Sequence, residues 1–259
     1  MTLREPDVGS NDTASEDQVA PPTIRVFGGM AVEVGGEPVS IGGARQRRLL
    51  ALLVIRSGAV ASLDWLAEHL WEDNERPDDM VSPLRTYVSR LRRSLPEHAR
   101  AWLETEAAGY RLVAPEGAVD YEWAQSLRAR AVRARDLGDP LTAHALLDEA
   151  LALWRGEPFR ELEDFDWARA TIEQLGVDRL EMMEERWEAL LALGRHTQIT
   201  GELAAFTSQH GLRDRAVRQH ALALHRSGRT AEGLRVIEAL KRELAEVSGL
   251  DPSPGLLEL

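Results

Sequence analysis

From Thr23 the apolar positions alternate in three short runs, TIRVFGG, MAVEVGG and EPVSIGG, each closed by a glycine pair. Alternation punctuated by Gly28-Gly29, Gly35-Gly36 and Gly42-Gly43 predicts a small antiparallel sheet. The period then lengthens. Leu49, Leu50, Leu52 and Leu53 give an apolar side to a helix over about 45–56. Leu63, Leu66 and Leu70 form the stripe of a second helix over 62–70, with Ser62 in the capping position. After the acidic stretch WEDNERPDD (71–79), Leu84, Val88, Leu91 and Leu95 share one face of a third helix over 81–95. Ser82 is its expected cap and Pro83 suits its first turn. AWLETEAAGYRLVA (101–114) reads as two strands around Ala107, Ala108 and Gly109, a hairpin.

The order β-β-β-α-α-α-β-β contains a tri-helical unit closed by a hairpin, which is a winged helix-turn-helix whose third helix enters the major groove. From Asp120 onward the pattern is helical and repetitive. The turns LGD (137–139), LGR (193–195) and SGR (227–229) separate helices rich in alanine and leucine. Gly194 and Gly228 stand 34 residues apart, the tetratricopeptide period, whereas Gly138 and Gly194 stand 56 apart. The longer spacing leaves room for an insertion, assigned to WRGEPFRELEDFDW (154–167). Ala143, Ala145 and Ala231 are expected to let paired helices approach closely. The fold class is therefore mainly α with a small β part: a winged helix-turn-helix followed by a tetratricopeptide-like α-helical domain. The expected boundaries are a disordered acidic tail at 1–22, the winged-helix domain at 23–114 and the helical domain at 115–259.

Charge singles out the third helix. The formal net charge is −12, and Lys241 is the only lysine among 31 lysines and arginines. Residues 24–113 balance twelve arginines against twelve acids, while residues 114–259 hold eighteen bases against twenty-six acids. Within that setting VSPLRTYVSRLRRSL (81–95) carries four arginines and no acid. A locally basic helix in an acidic chain points to a polyanion partner. Arg85, Ser89 and Arg92 line the face away from the leucines, with Thr86, Arg90 and Arg93 at its margins. Guanidinium forks suit phosphate oxygens and guanine edges. On this reading Arg90 and Arg93 serve alternatively as phosphate clamps. Arg45, Arg47 and Arg48 open the first helix, where they either touch phosphates or are only solvated. Gly109, Tyr110 and Arg111 of the hairpin are expected against the backbone or the minor groove.

Other chemistries lack their residues. The absence of cysteine removes disulfides, thiol nucleophiles and thiolate metal sites. No apolar run reaches bilayer length and no signal-peptide pattern opens the chain, so no membrane partner is expected and the location is cytoplasmic, at the nucleoid. H-E-x-x-H, G-x-S-x-G and the G-x-x-x-x-G-K-[ST] loop are all missing, and His220 and His225 are too far apart for a metal pair on one helical face. No enzyme, cofactor or metal is expected. The competing reading is a tetratricopeptide-type interaction scaffold with a winged helix that binds no DNA; such a module has no need of an acid-free arginine row.

Several blocks resemble the Streptomyces antibiotic regulatory protein family. They are IRVFGG (24–29), ARQRRLLALL (44–53), LRTYVSRLRRSL (84–95), GYRL (109–112), ALLDEALALWRGEPF (145–159), LALGRH (191–196), SGRTAEGL (227–234) and DPSPGLLEL (251–259). That family pairs an OmpR-type winged helix with a bacterial transcriptional activation domain. The resemblance implies sequence-specific binding to direct repeats in double-stranded promoter DNA, recruitment of RNA polymerase holoenzyme, self-association on DNA and control of a secondary-metabolite (antibiotic) gene cluster. It places the acidic stretch 71–79 where OmpR-type relatives face the polymerase; a solvated connector is the alternative. Pro83 departs from the family pattern, in which a backbone N–H donor commonly stands at that point. Larger relatives continue into an ATPase or sensor domain, so a chain ending at LLEL, inside an expected final helix, is either a short member or a piece of a longer one.

Overall fold

The computed structural model describes residues 23–72 and 77–247; the expectations for the 1–22 tail, for residues 73–76 and for the LLEL end lie outside it. β1 (Thr23–Arg25), β2 (Ala31–Val34) and β3 (Glu37–Val39) form an antiparallel sheet in that order. Ile24 faces Val32, and Val32 faces Val39, so one side of the sheet is apolar. Gly35 and Gly36 both have positive φ, which the two-residue hairpin between β2 and β3 demands. α1 (Ala44–Ile55) buries an unbroken run from Leu49 to Val54 beneath this sheet.

β4 (Ala61–Ser62) leads directly into α2 (Leu63–Leu70), where the Ser62 hydroxyl accepts the Trp65 N–H as expected of the cap. α3 (Val81–Ser94), a short α4 (Glu97–Arg100), β5 (Leu103–Glu106) and β6 (Gly109–Leu112) complete the winged unit. β4 is an addition to the expected order. It pairs with β6, so the wing is a three-stranded sheet in the order β4-β6-β5. Two residues are too short to show an alternating pattern, which is why the sequence does not announce this strand.

α5 (Asp120–Asp136), α6 (Pro140–Ala152), α7 (Asp166–Ala192), α8 (His196–Gln209), α9 (Asp214–Arg226) and α10 (Thr230–Val247) pack against their neighbours in succession. Gly138, Gly194 and Gly228 end α5, α7 and α9 with φ of +78°, +71° and +77°, the left-handed stop that glycine adopts without strain. Ala143 is buried between helices, but Ala145 and Ala231 are exposed, because helical phase turns both to the outer side. The close approach is made at Gly233 instead, where an added Cβ would lie 2.9 Å from the Ala221 carbonyl oxygen. Glu184, buried in α7, is paired with Arg213 at 2.7 Å, and Arg128 on α5 reaches both Glu181 and Glu185 on α7. These charge-assisted contacts fix α5 and the residue that opens α9 against α7.

The expected insertion 154–167 is a strap across the winged unit rather than an excursion from the helical array. It contains a short 3-10 helix (Arg160–Leu162) and leads into α7. The outer edge of β1 and the turn after it are paired by segments that follow the winged unit, 118–120 and 157–161. The Ile24 N–H donates to the Ala118 oxygen (2.6 Å) and the Gly28 N–H to the Glu157 oxygen (3.1 Å), while the Phe159 N–H donates to the Val26 oxygen (3.2 Å). The Val26 and Phe27 N–H groups donate to the two oxygens of Asp120 (2.8 and 3.1 Å), and the Met30 N–H to Glu161 (2.9 Å).

Side chains cross this joint in both directions. Phe27 stacks on Trp154 with centroids 3.9 Å apart, inside a core built from α5, α6 and α7. Phe159, Leu162 and Phe165 enter the core of the winged unit. Phe159 adopts φ +49°, the only positive φ outside glycine among the described residues. A bulky residue in that region costs on the order of 1 kcal/mol or more, and here full burial of the ring offsets it.

Burial pushes the Asp120 carboxyl up to about 6, against three backbone N–H donors that favour its anion. Because this exceeds the unfolded value, the folded chain holds the proton more tightly between the two. The contribution to stability is therefore full below the unfolded pKa and declines as pH rises through about 6. The difference in unfolding free energy between wild type and D120N, measured by urea titration, is expected to fall by roughly 2.5 kcal/mol from about pH 4 to about pH 7. A difference that stays flat with pH would contradict the assignment.

Candidate nucleic-acid interface

α3 is held from beneath by Leu84, Val88 and Leu91, all essentially inaccessible, with Leu95 buried just beyond its end. Its start differs from the expectation. The Asp79 carboxylate accepts the N–H groups of Val81 and Ser82, so Asp79 supplies the cap and Ser82 lies inside the helix. Pro83 falls in the first turn, where a missing N–H leaves no helical bond unmade. Ser94 Oγ donates to the Ile41 oxygen and fixes the far end of α3 to the segment after β3.

The outward face carries Arg85, Thr86, Ser89, Arg90 and Arg93, all exposed. Arg85, Ser89 and Arg93 follow one another at i, i+4 and i+8 as a single ridge, with Thr86 and Arg90 beside it. Thr86 Oγ1 donates to the Ser82 oxygen, and Arg93 Nε leans on the Ser89 oxygen at 3.4 Å. Arg92 does not belong to this face. Its Nη2 donates to the Leu103 oxygen (2.7 Å) and to Thr105 Oγ1 (3.0 Å), so the side chain is turned to the wing. The expected outward triple Arg85, Ser89 and Arg92 is thus corrected to Arg85, Ser89 and Arg93. Arg100, absent from the expected set, is exposed at the end of α4 and places its guanidinium by the carbonyls of Leu95 and Arg93.

The arginines of α1 divide in the same way. Arg48 donates to the Leu70 oxygen and to Glu72, and stacks 4.3 Å from the centroid of Phe165, which makes it a structural link between α1, α2 and the strap. Arg47 donates to the Gly42 oxygen and lies 3.9 Å from Glu161 of the strap. Arg45 reaches the hydroxyl of Tyr87, on α3, at 3.4 Å, and so stands nearest the candidate face. A one-sided run of charges could not reveal which members have carbonyl or carboxylate partners from distant segments.

In the wing, Tyr110 is buried and Arg111 is held by Glu104 (2.8 Å) and Glu106 (2.7 Å), so neither meets the expectation of a free contact. Gly109 lies against β4: an added Cβ would stand 2.0 Å from the Ala61 oxygen. The exposed parts of the hairpin are Thr105 and the tip, Ala107 and Ala108. Among the described residues no group of three His, Asp or Glu side chains is placed to hold a metal ion, and no helix is long and apolar enough to cross a membrane.

With this geometry, comparison with known proteins finds two matching families. Residues 36–112 match "Transcriptional regulatory protein, C terminal", and residues 119–259 match "Bacterial transcriptional activator domain". The chain belongs to the Streptomyces antibiotic regulatory protein family. Regulatory protein AfsR of Streptomyces coelicolor is 38% identical over 95% of this chain, which covers 24% of AfsR. Regulatory protein DnrI of Streptomyces peucetius is 29% identical over 91% of the chain, and here 89% of the relative is covered. The chain thus spans about a quarter of the AfsR relatives. The structure of Mycobacterium tuberculosis EmbR in complex with a low affinity phosphopeptide superposes with a TM-score of 0.85 at 30% identity, over 92% of this chain and 63% of EmbR.

The first strand of the winged unit precedes the matched segment 36–112, and its edge is completed by Ala118 and by residues of the activator-domain segment 119–259. Its wing depends on the tight β4-β6 contact. Gly109→Ala is expected to destabilise the fold by more than about 3 kcal/mol, since backbone and not a movable side chain opposes the new methyl group. Thermal melting by circular dichroism checks this, and a wild-type midpoint for the variant would refute it.

Proposed function

We propose that this chain is a transcriptional activator that binds direct repeats in double-stranded promoter DNA through the exposed face of α3. In this reading residues 23–114 read DNA and residues 115–259 present the surface that recruits RNA polymerase holoenzyme. Copies self-associate side by side on the repeats, the genes controlled form a secondary-metabolite cluster, and the site of action is the cytoplasmic nucleoid. The names of the relatives, all regulatory proteins, support the class of function.

One observation carries the proposal. Arg85, Arg90 and Arg93 project from a helix free of acidic residues, on a chain that is otherwise strongly acidic. A helix packed by Leu84, Val88 and Leu91 presents these groups on a rigid rod of a width that suits the major groove. Arg85 and Arg90 are assigned to base edges, and Arg93 and Arg100 to phosphates. Arg45 is assigned to the phosphate beside the start of α1, and Arg47 and Arg48 to holding the unit together. The acidic stretch 71–79 is assigned to the polymerase-facing side; Trp71 at its start is part of the core.

Arg85→Ala and Arg90→Ala are each expected to weaken specific binding by about 1–3 kcal/mol and to relax preference at one base pair. Arg93→Ala is expected to weaken binding alike on all sequences. With roughly three phosphate contacts per copy, log K should fall with log salt at a slope of about −3. Selection of bound DNA from a random pool, followed by gel-shift titration of the variants, measures all three effects. Enrichment of no motif by the wild-type chain would favour the interaction-scaffold reading.

A further inference from the structure

The wing is held to the rest of its unit on one side by backbone. The Leu63 N–H donates to the Ala108 oxygen, and β4 pairs with β6. β5 is the open edge of the three-stranded sheet. The Trp102 oxygen accepts the Val113 N–H, so the next carbonyl along, that of Leu103, points away from β6 to the open edge. Arg92 Nη2 occupies this carbonyl at 2.7 Å and the neighbouring Thr105 hydroxyl at 3.0 Å. No other side-chain bond joins α3 to β5 among the described residues, and the wing's own cation is spent: Arg111 is paired with Glu104 and Glu106.

We infer that Arg92 is a positioning residue that sets the distance and angle of the wing relative to the recognition helix, and that it reads no base. The inference rests on the DNA-binding reading above. The wing tip, Ala107 and Ala108, carries no charged side chain, so it meets the sugar-phosphate backbone beside a half-site only by shape and backbone N–H groups, and both depend on placement from elsewhere. A carbonyl on an open strand edge, bonded by a half-buried guanidinium, supplies that placement, since charge-assisted bonds are short and directional. Both contacts come from one nitrogen, so a lysine ammonium, with three donors on a single atom, can replace them. A base reader that uses the guanidinium fork on guanine would not tolerate that exchange.

The full chain and its variants Arg92→Lys, Arg92→Ala and Thr105→Val are taken through selection from a random DNA pool and hydroxyl-radical footprinting, with thermal melting as the folding control. R92K is expected to keep the wild-type motif, affinity and footprint. R92A should keep the base preference of the major groove, lose protection of the flanking backbone under the wing, and bind roughly tenfold more weakly. T105V should shift in the same direction by a smaller factor. The inference is overturned if R92A loses preference at one base pair while the wing footprint persists, or if it footprints as wild type. Where R92A fails to fold, loss of binding by R92K, or a wild-type footprint for T105V, overturns it equally. A wild-type chain that enriches no motif is seen before any substitution and removes the DNA-binding reading itself.

Discussion

The outer edge of β1 is the constraint on which the rest of the structure depends. An edge strand presents N–H and C=O groups that must find partners if the edge is to be buried. Here the partners come from 115–120 and 154–162, far along the chain: the oxygens of Ala118, Glu157, Asp120 and Glu161, and the N–H of Phe159. A sheet completed in this way cannot be separated from the helical array without exposing a whole row of backbone groups. Phe27 and Phe159, each inserted into the opposite core, add apolar burial to the same joint. The orientation of the helical array relative to α3 is thereby fixed.

Electrostatics follows from the same geometry. Several arginines of the winged unit are engaged by local carbonyls or carboxylates: Arg25 by Glu33, Arg48 by Leu70 and Glu72, Arg92 by Leu103, Arg111 by Glu104 and Glu106. Those on the outward face of α3 meet no carboxylate among the described residues, and their charge stands out on an acidic molecule. A guanidinium that already has a carboxylate in place gains little from a phosphate. Function is thus decided less by how many arginines the unit has than by which are left facing solvent.

Much of this was legible in residue order. The three glycine-closed strands, the leucine stripes of α1, α2 and α3, the Ser62 cap and the turns at Gly138, Gly194 and Gly228 all follow from local period and turn chemistry. The exceptions share one cause. β4 exists only because β6 lies beside it, Asp79 displaces Ser82 as the cap of α3 because its carboxylate reaches two N–H groups, and Ala145 yields to Gly233 at a helix contact. Each was settled by a neighbour in space, and local propensity is a weak guide where such neighbours compete.

The sequence by itself determined which longer segments become strands and helices (though not β4 or the one-turn α4), which face of α3 is apolar, and that its arginines are concentrated without acids. These properties depend on residues within a few turns of one another, where period and spacing are fixed by backbone geometry. Only the tertiary structure decided that Arg92 faces the wing and Arg93 the outside, that Tyr110 is core, and that 154–167 is a strap completing the sheet edge. Those outcomes depend on hydrogen-bond partners from segments distant in the chain, and spacing along the chain carries no record of them.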